Sequence, residues 1–186
     1  MTKNYKFHVI SILLLIDDFL SIVRAKLFLQ KKTSNTRIYK PLYCNYTNLH
    51  LGNNVIIGRF ARIEEISKRL GIKYSPTLKI GQNTTFEQCL HISYAGFLEI
   101  GSNCTFSSNI FISDCNHIIL NNKSTRKTDL VVELTKIGNY CFFGVGCKIL
   151  PGAKIGNNVI FGAGSVILPG CYPSNSRYAG VPVRKI

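Results

Sequence analysis

Four histidines, His8, His50, His91 and His117, are the side chains of this chain best suited to exchange a proton near neutral pH, because an unperturbed imidazole titrates there. His117 stands in "ISDCNHII", with Asp114 three residues before it and Asn116 beside it. A carboxylate so placed can orient or help charge an imidazole, bind a polar group of a substrate, or hold a turn. Asn116 can hold the local turn or touch a substrate. The seven cysteines are odd in number and include no CxxC pair or Cys/His set with zinc spacing, so neither a disulfide framework nor a metal site is expected. Cys115 has no evident partner base and is not read as a nucleophile.

What must position these residues is a repeat of six. Apolar residues return as Leu51, Ile57 and Ile63, as Ile80, Phe86 and Ile92, as Ile100, Phe106 and Ile112, as Ile137, Phe143 and Ile149, and as Ile155, Phe161 and Ile167. A smaller residue follows four positions later, among them Val55, Ala61, Thr84, Cys104, Cys141, Cys147, Ala153, Val159 and Ser165. Neither a helix nor an ordinary sheet has this period. A coil with three short flat faces does, with Gly or Asn at the corners where backbone angles are unusual. Stacked coils pair as parallel strands about 4.8 Å apart and bury an interior that no single coil could bury. The expectation is an all-β triangular solenoid, a parallel β-helix. The repeat-borne cysteines are then small inward hydrophobes.

Three breaks interrupt the period: residues 64–79, two extra residues near Tyr94, Ala95 and Gly96, and an excursion over about 118–134 that carries Lys123, Arg126 and Lys127. Long loops in a compact repeat are usually functional or disordered, and His117 stands where the last excursion begins. His50 is expected on the same edge but several coils away, and His91 at a corner one coil earlier on a different edge. On that layout no three imidazoles converge on a metal.

Residues 1–40 read as a separate helical, basic extension, 41–171 as the β-helix and 172–186 as a C-terminal tail. In the extension, Val9–Ile16 is too short to cross a bilayer, and Asp17 and Asp18 would fall at mid-depth of any span. The acidic pair also stands where a signal peptide would need small residues for cleavage. Arg24, Lys26, Lys31, Lys32, Arg37 and Lys40 follow. The segment either caps the domain or lies on an anionic membrane surface. The formal net charge of +14 implies anionic company, although the chain lacks Trp and any basic-aromatic groove motif, so nucleic acid is not the expected partner. Reduced cysteines fit a cytoplasmic protein, peripheral on the inner membrane if the extension binds lipid.

The stretches "IGNYCFFGVGCKILPGAKIGNNVIFGAGSVI" and "AGVPVRKI" resemble the hexapeptide-repeat acyltransferases, in particular the galactoside, maltose and xenobiotic acetyltransferases and the bacterial polysaccharide O-acetyltransferases. The resemblance covers about residues 48–186. It implies a left-handed β-helix, a homotrimer, and acetyl-CoA as donor, with no metal. It also implies that His117 is the general base, at the mouth of a groove between subunits; Asp114 is carried beside it as the candidate catalytic companion on its spacing alone. Asn116 and His91 would meet the carbohydrate acceptor. The donor would lie along Gly144, Val145, Gly162, Ala163 and Leu168, with Arg184 and Lys185 at the coenzyme A phosphates. Val145 departs from the Ser common in relatives, so a contact there must use the main chain; Leu168 stands where many relatives have Thr, so the side-chain part of the adenine-end contact does not carry over. The expected activity is O-acetylation of a sugar hydroxyl on a bacterial surface polysaccharide or its precursor. The rivals are N-acetylation of an amino sugar or amine-bearing antibiotic, and a non-catalytic scaffold.

Overall fold

The computed structural model describes residues 15–16, 19–21, 23, 26–29, 33–121, 124 and 128–186. Lys123, Arg126 and Lys127 lie outside the described residues, as do His8, Asp17, Asp18, Arg24, Lys31 and Lys32.

The expected three-sided coil is present as a left-handed parallel β-helix. Its first face stacks Arg37–Ile38, Ile56–Ile57, Thr85–Phe86, Thr105–Phe106, Phe142–Phe143, Ile160–Phe161 and Arg177–Ala179, closed by Arg184–Lys185. The second stacks Tyr43–Cys44, Arg62–Glu65, His91–Tyr94, Phe111–Ser113, Lys148–Ile149 and Val166–Ile167. The third runs from Leu49–Leu51 through Thr77–Ile80, Phe97–Ile100, Thr135–Ile137 and Ala153–Ile155 to Gly170–Tyr172. The pairing is parallel within each face, except that Arg184–Lys185 runs antiparallel to Arg177–Ala179.

The register aligns equivalent residues along the axis, which turns the repeat into ladders. Ile63, Ile92, Ile112, Ile149 and Ile167 stack on one wall. Phe86, Phe106, Phe143 and Phe161 stack on another, with successive ring centroids 4.4, 4.5 and 5.1 Å apart. All are fully or almost fully buried, as are the small inward residues at the other repeat position. The inward thiols of Cys104, Cys141 and Cys147 donate to the carbonyls of Gly138, Gly156 and Gly162, each at 3.2 Å, which satisfies corner carbonyls inside the prism. At the corner between the third and first faces, Asn54, Asn83, Asn103, Asn158 and Asn175 adopt positive φ, a conformation Asn tolerates. Their side chains hydrogen-bond between coils, Asn54 to Asn83 at 2.9 Å and Asn83 to Asn103 at 3.0 Å. The corner is thus held by an amide ladder outside while apolar ladders fill the inside.

The prism is longer than expected at both ends. It begins at Arg37, inside the expected extension, and residues 172–186 continue it in place of a loose tail. Arg177–Ala179 adds a further strand, and the chain then turns through Gly180 and a cis Val181–Pro182 bond to lay Arg184–Lys185 alongside it. The described residues between 15 and 28 are helical; Phe28 stacks on Tyr46 with ring centroids 5.2 Å apart, and Leu29 joins the core.

Candidate active site

All three breaks fall at one edge, where the second face hands over to the third. Arg62–Glu65 leads into the first insertion, His91–Tyr94 into Ala95 and Gly96, and Phe111–Ser113 into the excursion. Each break sits one coil from the next, so they are stacked. The first insertion forms a hairpin, Lys68–Arg69 antiparallel to Ile72–Lys73, whose turn residues Leu70 and Gly71 both have positive φ. That two-residue geometry matches the right-handed twist of paired strands. The excursion forms a ribbon, Cys115–His117 antiparallel to Leu130–Val132, with His117 opposite Leu130. Hairpin and ribbon dock: the Arg69 Nε–H donates to the Thr128 carbonyl at 3.0 Å, the Tyr74 hydroxyl donates to the Asp129 carboxylate, and the Leu130 amide donates to the Tyr74 oxygen at 3.3 Å.

The root of the ribbon is held by Asp114. Its side chain is fully buried, and its two oxygens accept the amides of Ala95 at 2.8 Å and Gly96 at 2.9 Å in the preceding coil. Its own carbonyl accepts the Glu133 amide at 2.7 Å where the ribbon returns. Burial raises its pKa above the usual carboxylate range, and the Ala95 and Gly96 amides oppose that shift. The expected pairing of Asp114 with the imidazole of His117 is therefore corrected: both carboxylate oxygens are committed to the neighbouring coil. The buried Cys115 thiol is pushed up to about 11 by desolvation, which leaves it protonated and unsuited to nucleophilic work.

His117 is exposed and borders two clefts. One, of about 190 Å³, lies over the second face and is lined by Glu64, Ile66, His91, Phe111, Ser113 and Leu130 together with Asn116 and His117. The other, of about 340 Å³, opens toward the C-terminal coils between Val131, Glu133, Leu150, Pro151 and Pro169. His91 thus shares a cleft with His117, contrary to the different edge expected, because the ribbon folds back over the second face. His91 packs edge-on against Phe111 at 5.3 Å, and its Nε2 lies 3.7 Å from Glu64. Arg62 donates to both Glu64 oxygens, at 2.8 and 3.2 Å, and this bonding holds the Glu64 carboxyl below its ordinary pKa. The cleft therefore has an ionised wall. Asn116 spends its side-chain oxygen on the His117 amide at 2.9 Å. His50 lies on the third face beside Lys79 and Glu99, away from this site. Among the described residues no group of three or more His, Cys, Asp and Glu could hold a metal ion.

The residues expected along the donor lie elsewhere. Gly144 and Val145, with Gly162 and Ala163 one coil on, occupy the edge between the first and second faces, and the Gly164 amide donates to the Val145 carbonyl at 2.7 Å. Val145 and Ala163 are exposed. A Cβ on Gly144 would stand 2.6 Å from the Ala163 nitrogen, so only Gly permits this coil spacing. Leu168 is exposed beside Pro169 of the larger cleft, and Arg184 and Lys185 are exposed at the end of the first face. One chain does not bring His117 and the Val145–Ala163 strip together. Glu64, Glu133 and Tyr74 were missed in the sequence. The available signal was that every break falls at the same step of the repeat, so the insertions had to meet.

Residues 134–169 match the family described as bacterial transferase hexapeptide (six repeats). No curated protein matches the chain significantly by sequence. Among solved structures, a variant of AntD, an N-acyltransferase from Bacillus cereus in complex with dTDP and coenzyme A, superposes with a TM-score of 0.68 at 20% identity over 87% of this chain and 84% of that one. A galactoside acetyltransferase in complex with coenzyme A gives a TM-score of 0.51 at 26% identity, over 59% of this chain and 54% of that one. A hexapeptide-repeat acetyltransferase from Vibrio cholerae gives 0.58 at 12% identity over 91% and 80%.

Proposed function

We propose that this chain, whose residues 134–169 match the bacterial transferase hexapeptide family, is a hexapeptide-repeat acyltransferase that transfers an acetyl group from acetyl-CoA to a sugar hydroxyl of a bacterial surface glycan or its precursor. The observation that carries this reading is the exposed imidazole of His117 between two clefts, on a ribbon that the rest of the edge is built to hold.

The donor fits the exposed strip of Val145 and Ala163, where Gly144 lets backbones approach closely, with Arg184 and Lys185 available to its phosphates. Since that strip and His117 lie on different edges of one chain, a neighbouring copy completes the site, as a homotrimer would. His117 removes the proton as the acceptor oxygen attacks the thioester carbonyl; the C–S bond breaks, and the imidazolium returns the proton to the departing thiolate. Acyl transfer is direct, with no covalent enzyme intermediate. Glu64 and His91 hold acceptor hydroxyls in the smaller cleft.

A second reading, N-acetylation of an amino sugar, is favoured by one observation: a variant of the similarly folded AntD holds dTDP-4-amino-4,6-dideoxyglucose with coenzyme A. The test incubates the protein with acetyl-CoA and a panel of glycans and amino sugars, and follows acetyl mass gain on the acceptor. Mild alkali then separates the readings, because it strips an O-acetyl ester and spares an N-acetyl amide. No transfer to any acceptor, with no thiol released from acetyl-CoA, would overturn both.

A further inference from the structure

The N-terminal helix presents the wrong face to the body of the protein. At 3.6 residues per turn, Leu15 and Phe19 fall on one arc with Ile16, Leu20, Val23 and Leu27. Leu15, Phe19 and Leu27 are 68, 66 and 71% exposed, and Ile16 and Leu20 are exposed as well. The opposite arc carries Ser21, which is fully buried, and the helix ends on the Phe28–Tyr46 stack and Leu29. A polar residue is turned inward and a contiguous apolar strip outward, the reverse of a helix that caps a domain.

We propose that this strip docks in the plane of an anionic lipid surface. Charge complementarity selects the occupant. Lys26 is exposed on the same arc, between Leu15 and Phe19, and in the sequence Arg24, Lys31, Lys32, Arg37 and Lys40 outnumber the nearby Asp17 and Asp18, on a chain of net charge +14. Apolar residues on one side with Lys and Arg flanking them are what an in-plane helix offers to acyl chains and anionic headgroups together. Among the described residues no helix is long and apolar enough to cross a membrane. Docking there would hold the clefts beside a surface on which a lipid-linked glycan precursor is concentrated.

The test is co-sedimentation of the full-length protein with vesicles of phosphatidylglycerol and phosphatidylcholine, compared with phosphatidylcholine alone. Wild type should pellet with the anionic vesicles and be released by salt. Phe19→Glu with Leu27→Glu should weaken binding at least tenfold at unchanged oligomeric mass by light scattering. Lys26→Gln should weaken it roughly fivefold on anionic vesicles only, as expected for the loss of one basic residue. Equal pelleting of wild type and the double variant would overturn the proposal, as would absence of wild-type binding. A change in the double variant's oligomeric mass would also overturn it, by showing that the strip covers another copy of the chain. None of these readouts depends on acetyl transfer.

Discussion

Tyr74 and Asp129 lie 55 positions apart and are joined by a hydrogen bond from the phenol to the carboxylate. The same oxygen accepts the amide of Leu130, the residue opposite His117 in the ribbon. The hairpin is thereby fastened to the strand that positions the imidazole. Tyr74→Phe removes a bond to a charged group, worth about 1.5–3 kcal/mol. The lost bond is in the ribbon, so kcat should fall about tenfold while the KM for acetyl-CoA holds steady and the melting temperature falls by several degrees. Steady-state kinetics with a thermal melt check this; unchanged kcat would mean that strand pairing alone secures His117.

His117→Ala removes the proposed general base and should lower kcat/KM by about 10²–10⁴-fold. The side chain is exposed and packs into no core, so oligomeric mass and affinity for coenzyme A should match wild type. Retained activity within a few-fold would end its assignment as base.

Asp114 makes a prediction about pH. Burial raises its folded pKa above the unfolded value, so the stability linked to its proton is fully present below the ordinary carboxylate range. That contribution is lost as pH rises through the folded value. Asp114→Asn cannot titrate, and it turns an amide N–H₂ toward a backbone donor at a constant cost of about 1–3 kcal/mol. The difference in urea midpoint, wild type minus variant, should therefore shrink between pH 4 and pH 7. A flat difference would contradict the buried environment.

Gly144 and Gly164 should separate coil spacing from corner geometry. Gly144→Ala forces a methyl into the Ala163 backbone and should destabilise by about 1–3 kcal/mol, weakening donor binding along the displaced strip. Gly164 has φ +69 and open space where a Cβ would stand, so Gly164→Asn should change stability by less than about 1 kcal/mol. Denaturant unfolding and coenzyme A titration of both variants provide the comparison.

The prism was legible because its order is periodic. Each inward Ile or Phe meets its own equivalent one coil away, so knowing the period amounts to knowing the contacts, as the Phe86-to-Phe161 stack demonstrates. The location of His117 at a break was legible for the same reason. The partners of the breaks were not. Three readings were open for Asp114, as a companion of the imidazole, a substrate contact or a residue that holds a turn; its oxygens answer the buried amides of Ala95 and Gly96 in another coil, which no local spacing reveals. His91 was placed apart from His117 because the ribbon that folds back over it has no period to follow.

The sequence by itself therefore determined the three-faced coil, its inward ladders and the place of His117 at a break in the coil. Those follow from local alternation and repetition, in which each residue's neighbours are its own equivalents. Only the tertiary structure decided that Tyr74 braces the ribbon, that Asp114 holds a corner, that Glu64 and His91 wall the cleft, and that the apolar strip of the helix faces outward. These contacts join segments with no shared period, and their geometry arises only when stacking brings unrelated insertions to a common edge.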